Sequence, residues 1–185
     1  VKTWQNYAYV TTEGCCDGLQ IINLGYLPDS ISVKQWKGNG AINGDLETIH
    51  ALHIEDAHAY LFGSNLFNGA GIIVDLADPW NPNYKGYTPG TYIHDCYVRN
   101  DVLYSAHIYD GYFSVFDVSN KTNPVLLATQ STPTQFTHNT WLNDAGTVLF
   151  TTDENTNSYL GAYDITNLNN IIELDRIQLT PGSGS

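Results

Sequence analysis

Three histidines recur in this chain at a fixed spacing, and this repeat constrains the fold more than any other feature. His50, His94 and His138 lie 44 residues apart in the stretches "IHALHIEDAHAYLFGSN", "IHDCYVRNDVLYSAHIYD" and "FTHNTWLNDAGTVLFTTDE". An apolar residue follows four places after each histidine, and a polar turn and a second strand-like run come next. A period in the forties with several short strands in each unit is typical of propeller blades or similar arrays.

Each unit then continues with a third apolar run and a fourth. The third run ends in Asp75, Asp117 or Asp164, and the fourth has the form "PVLLATQ" or "IIELDRIQ". An earlier unit, with "YAYVTTEG", "LQIINLG" and "SISVKQW", follows the same plan, with Asn23 in the aspartate position. Its leading strand is expected before Val1, which gives about fifteen strands in four units, one strand short.

The sequence therefore predicts an all-β fold, a β-propeller of four-stranded antiparallel blades. Uninterrupted apolar runs such as "GIIVDL" suit strands that are covered on both faces, and the chain shows no amphipathic helix. The missing strand favours an incomplete propeller of about four blades, in which further blades or another chain complete the fold. We predict a single propeller domain or fragment over residues 1–185, with units near 1–40, 48–90, 92–134 and 136–180.

The charge balance excludes several classes of partner. Asp and Glu number 19 against 7 Lys and Arg, which gives a formal net charge of −12. Phosphate backbones and anionic lipid surfaces would repel such a chain, so no nucleic-acid partner is expected. No apolar run approaches the ~20 residues that span a bilayer, so no membrane insertion is expected either. The low lysine content and the 13 tyrosines suggest an extracellular or cell-surface location.

The cysteines indicate no disulfide framework. Cys15 and Cys16 are adjacent and Cys96 stands alone, so the count is odd. Neighbouring cysteines can pair only through a strained ring, so we expect two free thiols in a loop. Cys96 lies in an apolar alternation, which favours a small buried residue.

Several segments resemble a known family of repeats. "GLQIINL", "GIIVDLADPWNP" and "FSVFDVSNKTNP" look like the LVIVD repeat, and "HDCYVRNDVLYSAHIYDGYFSVFDVS" with "FTHNTWLNDAGTVLFTTDE" resembles the choice-of-anchor B proteins of bacteria. The resemblance covers essentially the whole chain. It implies a secreted or surface-anchored β-propeller of unestablished biochemical role, attached through one of several interchangeable C-terminal anchors. The chain ends in "PGSGS", where that family would continue with further repeats.

The repeat histidines are candidate metal ligands. His50, His94 and His138 begin the first strands of their units, and in a propeller this strand is innermost, so equivalent positions face a common axis. Three imidazoles could then hold a divalent metal such as zinc, copper, iron or nickel. Zinc and calcium are the two metals we consider, calcium through the oxygen ligands Asp153 and Glu154. The same periodic placement would also follow if the histidines only fixed blade packing, with Asp95 and Asn139 pinning the turns.

A second group of candidates lies at the end of the second strand of each unit. The units differ at this position. The second unit, at residues 63–66, has no histidine or carboxylate, the third reads "HIYD" with His107 and Asp110, and the fourth reads "TTDE" with Asp153 and Glu154. Antiparallel neighbours return to the same edge, so these side chains should lie beside the repeat histidines. Asp153 and Glu154 could bind a cation or form a general acid/base pair, or they form a solvated acidic turn.

Aromatic residues supply the remaining candidates for ligand binding. Trp80, Tyr92 and Tyr109, with Asp110, are candidate ligand-binding residues, and Trp36, Tyr84, Tyr87 and Tyr112 are further aromatic residues of turns and loops. Such residues stack on sugars, bind another protein or pack inside turns. Two functions follow: a cell-surface binding or adhesion module for an extracellular glycan or protein, and a metal-dependent extracellular hydrolase or lyase. We place the binding module first because the sequence contains no complete catalytic constellation.

Overall fold

The computed structural model describes residues 1–178 and confirms the all-β fold class. Within these residues, sixteen strands form four four-stranded antiparallel sheets, each made of consecutive strands, which are the blades of a β-propeller fold. Two 3-10 helices, Gly40–Ile42 and Phe67–Gly69, interrupt the strands. No helix in residues 1–178 is long and apolar enough to cross a membrane. The predicted end of the fourth unit at residue 180 lies outside the described residues.

The described chain divides into two compact units. The first contains residues 1–91 and the turn Asn120–Pro124, and the second contains Tyr92–Ser119 and the described residues from Val125 onward. The first unit holds two sheets: β1 (Lys2–Trp4), β2 (Tyr7–Val10), β3 (Leu19–Asn23) and β4 (Ser32–Trp36), then β5 (Ala51–Glu55), β6 (His58–Phe62), β7 (Ile72–Asp75) and β8 (Asn83–Tyr87).

The second unit holds the other two sheets. Their strands are β9 (Asp95–Arg99), β10 (Val102–His107), β11 (Tyr112–Asp117) and β12 (Val125–Ser131), then β13 (Thr137–Leu142), β14 (Val148–Asp153), β15 (Tyr159–Asp164) and β16 (Ile172–Gln178). The first strands β9 and β13 contact each other, whereas β12 and β16 are largely exposed. Phe113, Leu149 and Tyr163 form the centre of the core of this unit.

The first sheet is complete within the chain, so the prediction that its leading strand precedes Val1 is wrong. Strand β1 pairs with β2 from Lys2↔Tyr9 to Trp4↔Tyr7. It was missed because three residues, two of them exposed, are too short to show the alternation by which strands are recognised. The first sheet therefore supplies four strands, and the count is sixteen rather than fifteen.

Two kinds of turn explain the repeated polar positions. Asp56–Ala57 and Asn100–Asp101 connect the first two strands of their sheets with both residues at positive φ, the geometry of a tight hairpin turn that Asn and Asp tolerate. The residue ending each third strand closes the next turn by accepting a backbone N–H bond two residues ahead. These bonds are Ala77 N to Asp75 at 2.7 Å, Ser119 N to Asp117 at 2.8 Å, Thr166 N to Asp164 at 2.9 Å and Gly25 N to Asn23 at 2.9 Å. Asn23 thus serves as the repeat aspartates do, because both offer a side-chain oxygen.

The fourth strands of three sheets carry a β-bulge at the same repeat position. In β8, Tyr84 pairs with Val74 and Gly86 with Ile73, so Lys85 is an extra residue. Leu127 and Leu174 are the corresponding extra residues of β12 and β16. A bulge resets the alternation of side chains, so residues on either side of it change face relative to a regular strand.

The cysteines differ from the sequence-based expectation. Cys15 and Cys16 are joined in a disulfide, and the peptide bond between them is cis, so the prediction of two free thiols is wrong. Cys96 is free and buried, as its apolar surroundings predict. The paired sulfurs lie near Glu47, but disulfide sulfurs are not thiolates and do not form a zinc-ligand set with it.

Candidate metal centre

One edge of the second unit gathers the repeat histidines of its two sheets. His94 directly precedes β9, and its backbone N–H donates to the carbonyl of Ala106 at 2.8 Å. His138 is the second residue of β13, and β14 returns to the same edge with Thr137 paired to Asp153. The backbone N–H of Glu154 donates to the carbonyl of Phe136 at 3.0 Å, which holds Glu154 beside His138.

His138 occupies a bulge between the first and second strands of its sheet. Thr137 pairs with Asp153 and Asn139 with Thr152, so His138 has no partner in β14. The corresponding strand pairs of the other three sheets run without a shift in register. Bulges turn individual side chains out of the regular alternation and are common beside functional sites.

His94, His138 and Glu154 bring their ligand atoms to within 4.8 Å of one another. The two imidazole rings are 4.6 Å apart between centroids and are tilted by 45°. His138 Nε2 is 3.7 Å from a carboxylate oxygen of Glu154, whose side chain is 44% exposed. The cluster is therefore reachable from solvent on its carboxylate side.

Hydrogen bonding sets the tautomer of His94. Its Nδ1 lies 3.0 Å from the carbonyl oxygen of His138, and a carbonyl only accepts, so Nδ1 carries the proton and donates it. The lone pair of the neutral ring is then on Nε2. Metal-binding histidines commonly donate their other N–H to a carbonyl or carboxylate in this way, because the bond fixes the ring and strengthens it as a ligand.

The residues that follow the two histidines fix the strands to each other. The Asn139 side-chain amide donates to one carboxylate oxygen of Asp95 at 2.6 Å, and the other oxygen accepts from the N–H of Cys96 at 2.7 Å. This bridge holds the start of β9 against β13. The polar neighbours therefore pin the strands, one of the two roles that the sequence leaves open, while the imidazoles remain gathered at the edge.

The donor set suits a borderline divalent ion. Two imidazole nitrogens and a carboxylate are typical ligands for zinc and for non-haem iron, whereas calcium takes oxygen ligands alone. Tetrahedral zinc with bonds of ~2.1 Å separates its ligands by about 3.4 Å. Three protein ligands leave a coordination position open.

His107 reaches the same edge but is held inside the sheet. Its Nδ1 donates to the carbonyl of Tyr92 at 3.0 Å, and its Nε2 is 2.9 Å from the hydroxyl of Ser105. Burial lowers the pKa of His107 to about 4, although the bond to Tyr92 and the nearby Asp110 oppose this shift. His107 is therefore neutral at pH 7, and its ring nitrogens serve packing rather than the cluster.

Asp153 is also placed in the scaffold rather than in the cluster. It is fully buried, and one oxygen accepts from the Thr132 hydroxyl at 2.6 Å. The other accepts from both the N–H and the hydroxyl of Thr134, each at 2.7 Å. The carboxylate thus fastens the segment that leads into β13, and its adjacent residue Glu154 is the one that points to the histidines.

His50, the corresponding histidine of the first unit, has a different partner. Its Nδ1 lies 2.7 Å from a carboxylate oxygen of Glu13, in a partly exposed pair. Within residues 1–178, no three-residue group with metal-ligand spacing includes His50. Of the three repeat histidines predicted to share a site, the cluster therefore contains His94 and His138 and does not contain His50.

The remaining candidates are aromatic residues and Asp110. Tyr92 and Tyr109 form a tilted ring pair with centroids 5.0 Å apart, at the edge that carries His94, and Tyr109 is 74% exposed. Asp110 is exposed beside Tyr109. Trp80 packs in the first unit against Tyr7, and the Lys34 ammonium lies 5.7 Å from its ring centroid. Trp80 is therefore half-buried among side chains of the first unit, and Tyr109 is the exposed ring of the tyrosine pair.

Sequence reasoning missed the bulge that orients His138 and the carbonyl that orients His94. Both depend on pairing between strands that lie far apart in sequence. The turn "NDAG" between β13 and β14, longer than the two-residue turn Asn100–Asp101 between β9 and β10, is a signal that the fourth sheet pairs in a different register.

Comparison with known proteins supports the fold and one repeat. The LVIVD repeat model matches residues 103–132, which cover most of β10, all of β11 and β12. No curated protein matches the chain. The match of a single repeat agrees with the resemblance seen in the sequence, and it includes the turn-closing residue Asp117.

Solved structures similar to the chain include a natural propeller domain. A protein from Lactobacillus plantarum has a TM-score of 0.73 at 15% identity, with 95% of this chain and 53% of that one covered. The Cps50 (Swd1) β-propeller domain of Myceliophteria thermophila has a TM-score of 0.61 at 10% identity, with 93% of this chain and 55% of that one covered. The computationally designed Ika8 protein has a TM-score of 0.65 at 12% identity, with 100% of this chain and 49% of that one covered. The chain thus spans about half the length of these structures, and at such identities the likeness concerns the fold.

Proposed function

We propose that this chain is a β-propeller binding module that holds a divalent metal ion, zinc in the first place, through His94, His138 and Glu154. The observation that carries the proposal is the convergence of these ligand atoms within 4.8 Å, with the His94 tautomer set for coordination through Nε2. The metal would offer its open position to an oxygen of an extracellular glycan or protein. The exposed Tyr109, paired with the half-buried Tyr92 at the same edge, would add apolar contact.

The proposed setting is the cell surface. The net charge of −12 favours cations over anionic partners, and the LVIVD match supports the repeat, while the surface location rests on the sequence resemblance alone. A bound zinc ion would reverse the local charge at the edge. It would let an otherwise acidic surface accept a carboxylate or hydroxyl from the partner.

A metal-dependent hydrolase or lyase is the second candidate function. Two histidines and a carboxylate with an open position also activate a bound water. Such chemistry needs a further general base near the metal. Asp95 and Asp153, the carboxylates adjacent in sequence to His94 and Glu154, are both occupied by hydrogen bonds, and this favours the binding role.

Zinc titration by calorimetry tests the proposal. Protein stripped with EDTA should bind one zinc ion per chain, and the double variant His94→Ala/His138→Ala should lose at least ~100-fold in affinity because two of three ligands are gone. His50→Ala, the matched control, should bind as the wild type does. Saturating zinc should also stabilise the wild type, by ~2.7 kcal/mol at a hundredfold excess over Kd. Absence of zinc binding in the wild type, or an equal loss in His50→Ala, would refute it.

A further inference from the structure

The two faces of the fourth sheet differ in what they contact. One face packs against the third sheet, where Leu142, Leu149 and Tyr163 form a core with residues that include Tyr104, Phe113 and Val115. The opposite face, which we term the open face, carries residues of the first three strands of the sheet: Trp141, Phe150, Leu160 and Ala162. Trp141 is 59% exposed and lines an apolar groove of about 160 Å³ with Phe150 and Leu160.

The corresponding face of the third sheet is covered. Asp117 and Asp164 end the third strands of the two sheets, and residues at equal distances before them occupy equivalent positions. By this register and the strand pairing, the equivalent residues are Phe150 and Tyr104, Ala162 and Val115, and Leu160 and Phe113. The three residues of the third sheet are at most 7% exposed, because the fourth sheet covers them. The open face therefore repeats a surface that is buried against a four-stranded sheet elsewhere in the same unit.

Trp141 is fixed on the open face by an aromatic contact. Its ring centroid lies 4.6 Å from that of Tyr97, and the two rings are tilted by 53°. Apolar patches on a protein surface mark contact sites, and tryptophan is among the residues that contribute most to binding at the centres of protein interfaces. An exposed tryptophan held in one orientation can enter such an interface with little loss of conformational entropy.

The first sheet also has one face packed within its own unit and one opposite to it. Tyr9 and Ile21 lie on the packed face, in a core shared with the second sheet. The other face, which we term the matching face, carries Ala8, Ile22 and Val33, which are paired across three neighbouring strands. Val33 is 50% exposed, and Ile22 is half-buried.

The matching face is equivalent to the surface with which the fourth sheet covers the third. Asn23 ends the third strand of the first sheet and closes the next turn as Asp164 does. Counted from these two residues, Ala8 and Ile22 occupy the positions of Leu149 and Tyr163. The chain therefore carries one face of the type that is covered and one face of the type that covers it.

From these two faces we infer that a second copy of this chain docks on the open face through its own matching face. Each copy carries both faces, so two copies make the contact twice and reciprocally. The residues named on both faces are uncharged, so two chains of net charge −12 can meet there without placing like charges against each other. The chain spans about half of each similar solved structure, so two copies match the length of one.

Sedimentation equilibrium of the 185-residue chain in EDTA tests this inference independently of the metal site. The wild type should have twice the mass of one chain. Leu126→Arg, a control at a 48% exposed residue in the fourth strand of the third sheet, should also be dimeric. Trp141→Arg and Val33→Arg should each raise the dissociation constant of the dimer at least ~100-fold, because both reciprocal contacts would then bury an unpaired charge.

An equimolar mixture of Trp141→Arg and Val33→Arg should recover dimers. The intact matching face of the first variant can meet the intact open face of the second, which restores one of the two contacts. A variant that only damaged the fold would not be rescued in this way. Circular dichroism and melting identify folded protein, and Ile177→Arg, at a 61% exposed residue paired with Leu160, replaces Trp141→Arg if that variant does not fold.

Three results would overturn the inference. A monomeric wild type would mean that the open face does not bind a second copy and is left to a different protein. A dimer that survives Val33→Arg but not Trp141→Arg would place the open faces of two copies against each other. A mixture of the two folded variants that stays monomeric would exclude the reciprocal contact.

Discussion

His50, at the start of the second sheet, occupies the same repeat position as His94 and His138, at the start of the third and fourth. The residues around His50 differ from those around the other two histidines. In the first unit, His50 pairs with Glu13, 2.7 Å away, in a two-residue contact. In the second unit, His94 and His138 stand ring to ring with Glu154 beside them. The repeat thus supplies an imidazole at each edge, and local changes in strand pairing decide whether it becomes an ion pair or a ligand set.

The largest expected effect separates the scaffold of this edge from its ligands. Asp153→Ala should lower the free energy of unfolding by about 4 kcal/mol, because three buried hydrogen bonds to a carboxylate are lost and their donors are stranded. Glu154→Ala, its exposed neighbour, should change the stability of metal-free protein by less than ~0.5 kcal/mol. Urea unfolding in EDTA measures both. Equal stability of the two variants would show that Asp153 is not the structural member of the pair.

Acid should weaken the second unit through a residue that the first unit lacks. His107 of the third sheet corresponds to Gly63 of the second sheet, 44 residues earlier. The buried imidazole is therefore present in the third sheet and has no counterpart at that position of the second. The pKa of His107 is about 4 in the folded chain against an ordinary 6.5. The contribution of the neutral His107 to the free energy of unfolding is therefore complete above pH 6.5. It is lost as the pH falls from 6.5 to 4, because the imidazole of the unfolded chain takes up a proton before that of the folded chain does. The loss should reach ~3 kcal/mol.

Urea unfolding of the wild type and His107→Gln from pH 7 to pH 4 isolates this contribution. Other carboxylates titrate in both proteins, so only the difference between them reports His107. That difference should be largest at pH 7 and should shrink towards pH 4. A difference that stays constant over this range would mean that the imidazole is not held neutral by burial.

The two histidine–carboxylate contacts should respond differently to loss of charge. Glu154→Gln should weaken zinc binding about tenfold, because an amide oxygen is a poorer ligand than a carboxylate. Glu13→Gln should leave zinc affinity unchanged and should cost at most ~1 kcal/mol of stability, as expected for an exposed pair. Calorimetric zinc titration and thermal melting distinguish these results. Weaker zinc binding in Glu13→Gln would remove the contrast between the two units.

The smallest effect should be the same in both units. Asn23→Ala in the first unit and Asp117→Ala in the second each remove one turn-closing hydrogen bond, 2.9 and 2.8 Å long, and each should cost ~1 kcal/mol. Exchanges between Asn and Asp at these positions should be nearly neutral. Melting of the four variants checks this, and a much larger loss for Asp117→Ala would assign that residue a role beyond its turn.

The periodic residues of the sequence predicted most strands of the fold, and the features that they did not predict have physical causes. Strand alternation and the 44-residue spacing predicted the four sheets, because both follow from local pattern. The three-residue strand β1 was missed because it is stabilised by pairing with β2 rather than by a pattern of its own. In the candidate site, sequence spacing predicted that Asp153 and Glu154 lie beside His138, and strand pairing brings them there. It did not separate their roles, since Thr132 and Thr134, which enclose Asp153, belong to the preceding segment.

The bulged fourth strands show how such an array diversifies. Each inserts one residue, Lys85, Leu127 or Leu174, into the fourth strand of its sheet, and pairing with the third strand continues on both sides of the insertion. Duplicated blades can therefore vary at this position independently of one another, since a substitution there does not reach the shared core. One scaffold could acquire several unrelated specificities along its periphery, and a designer could graft a new one by changing a single outer strand and the turn beside it.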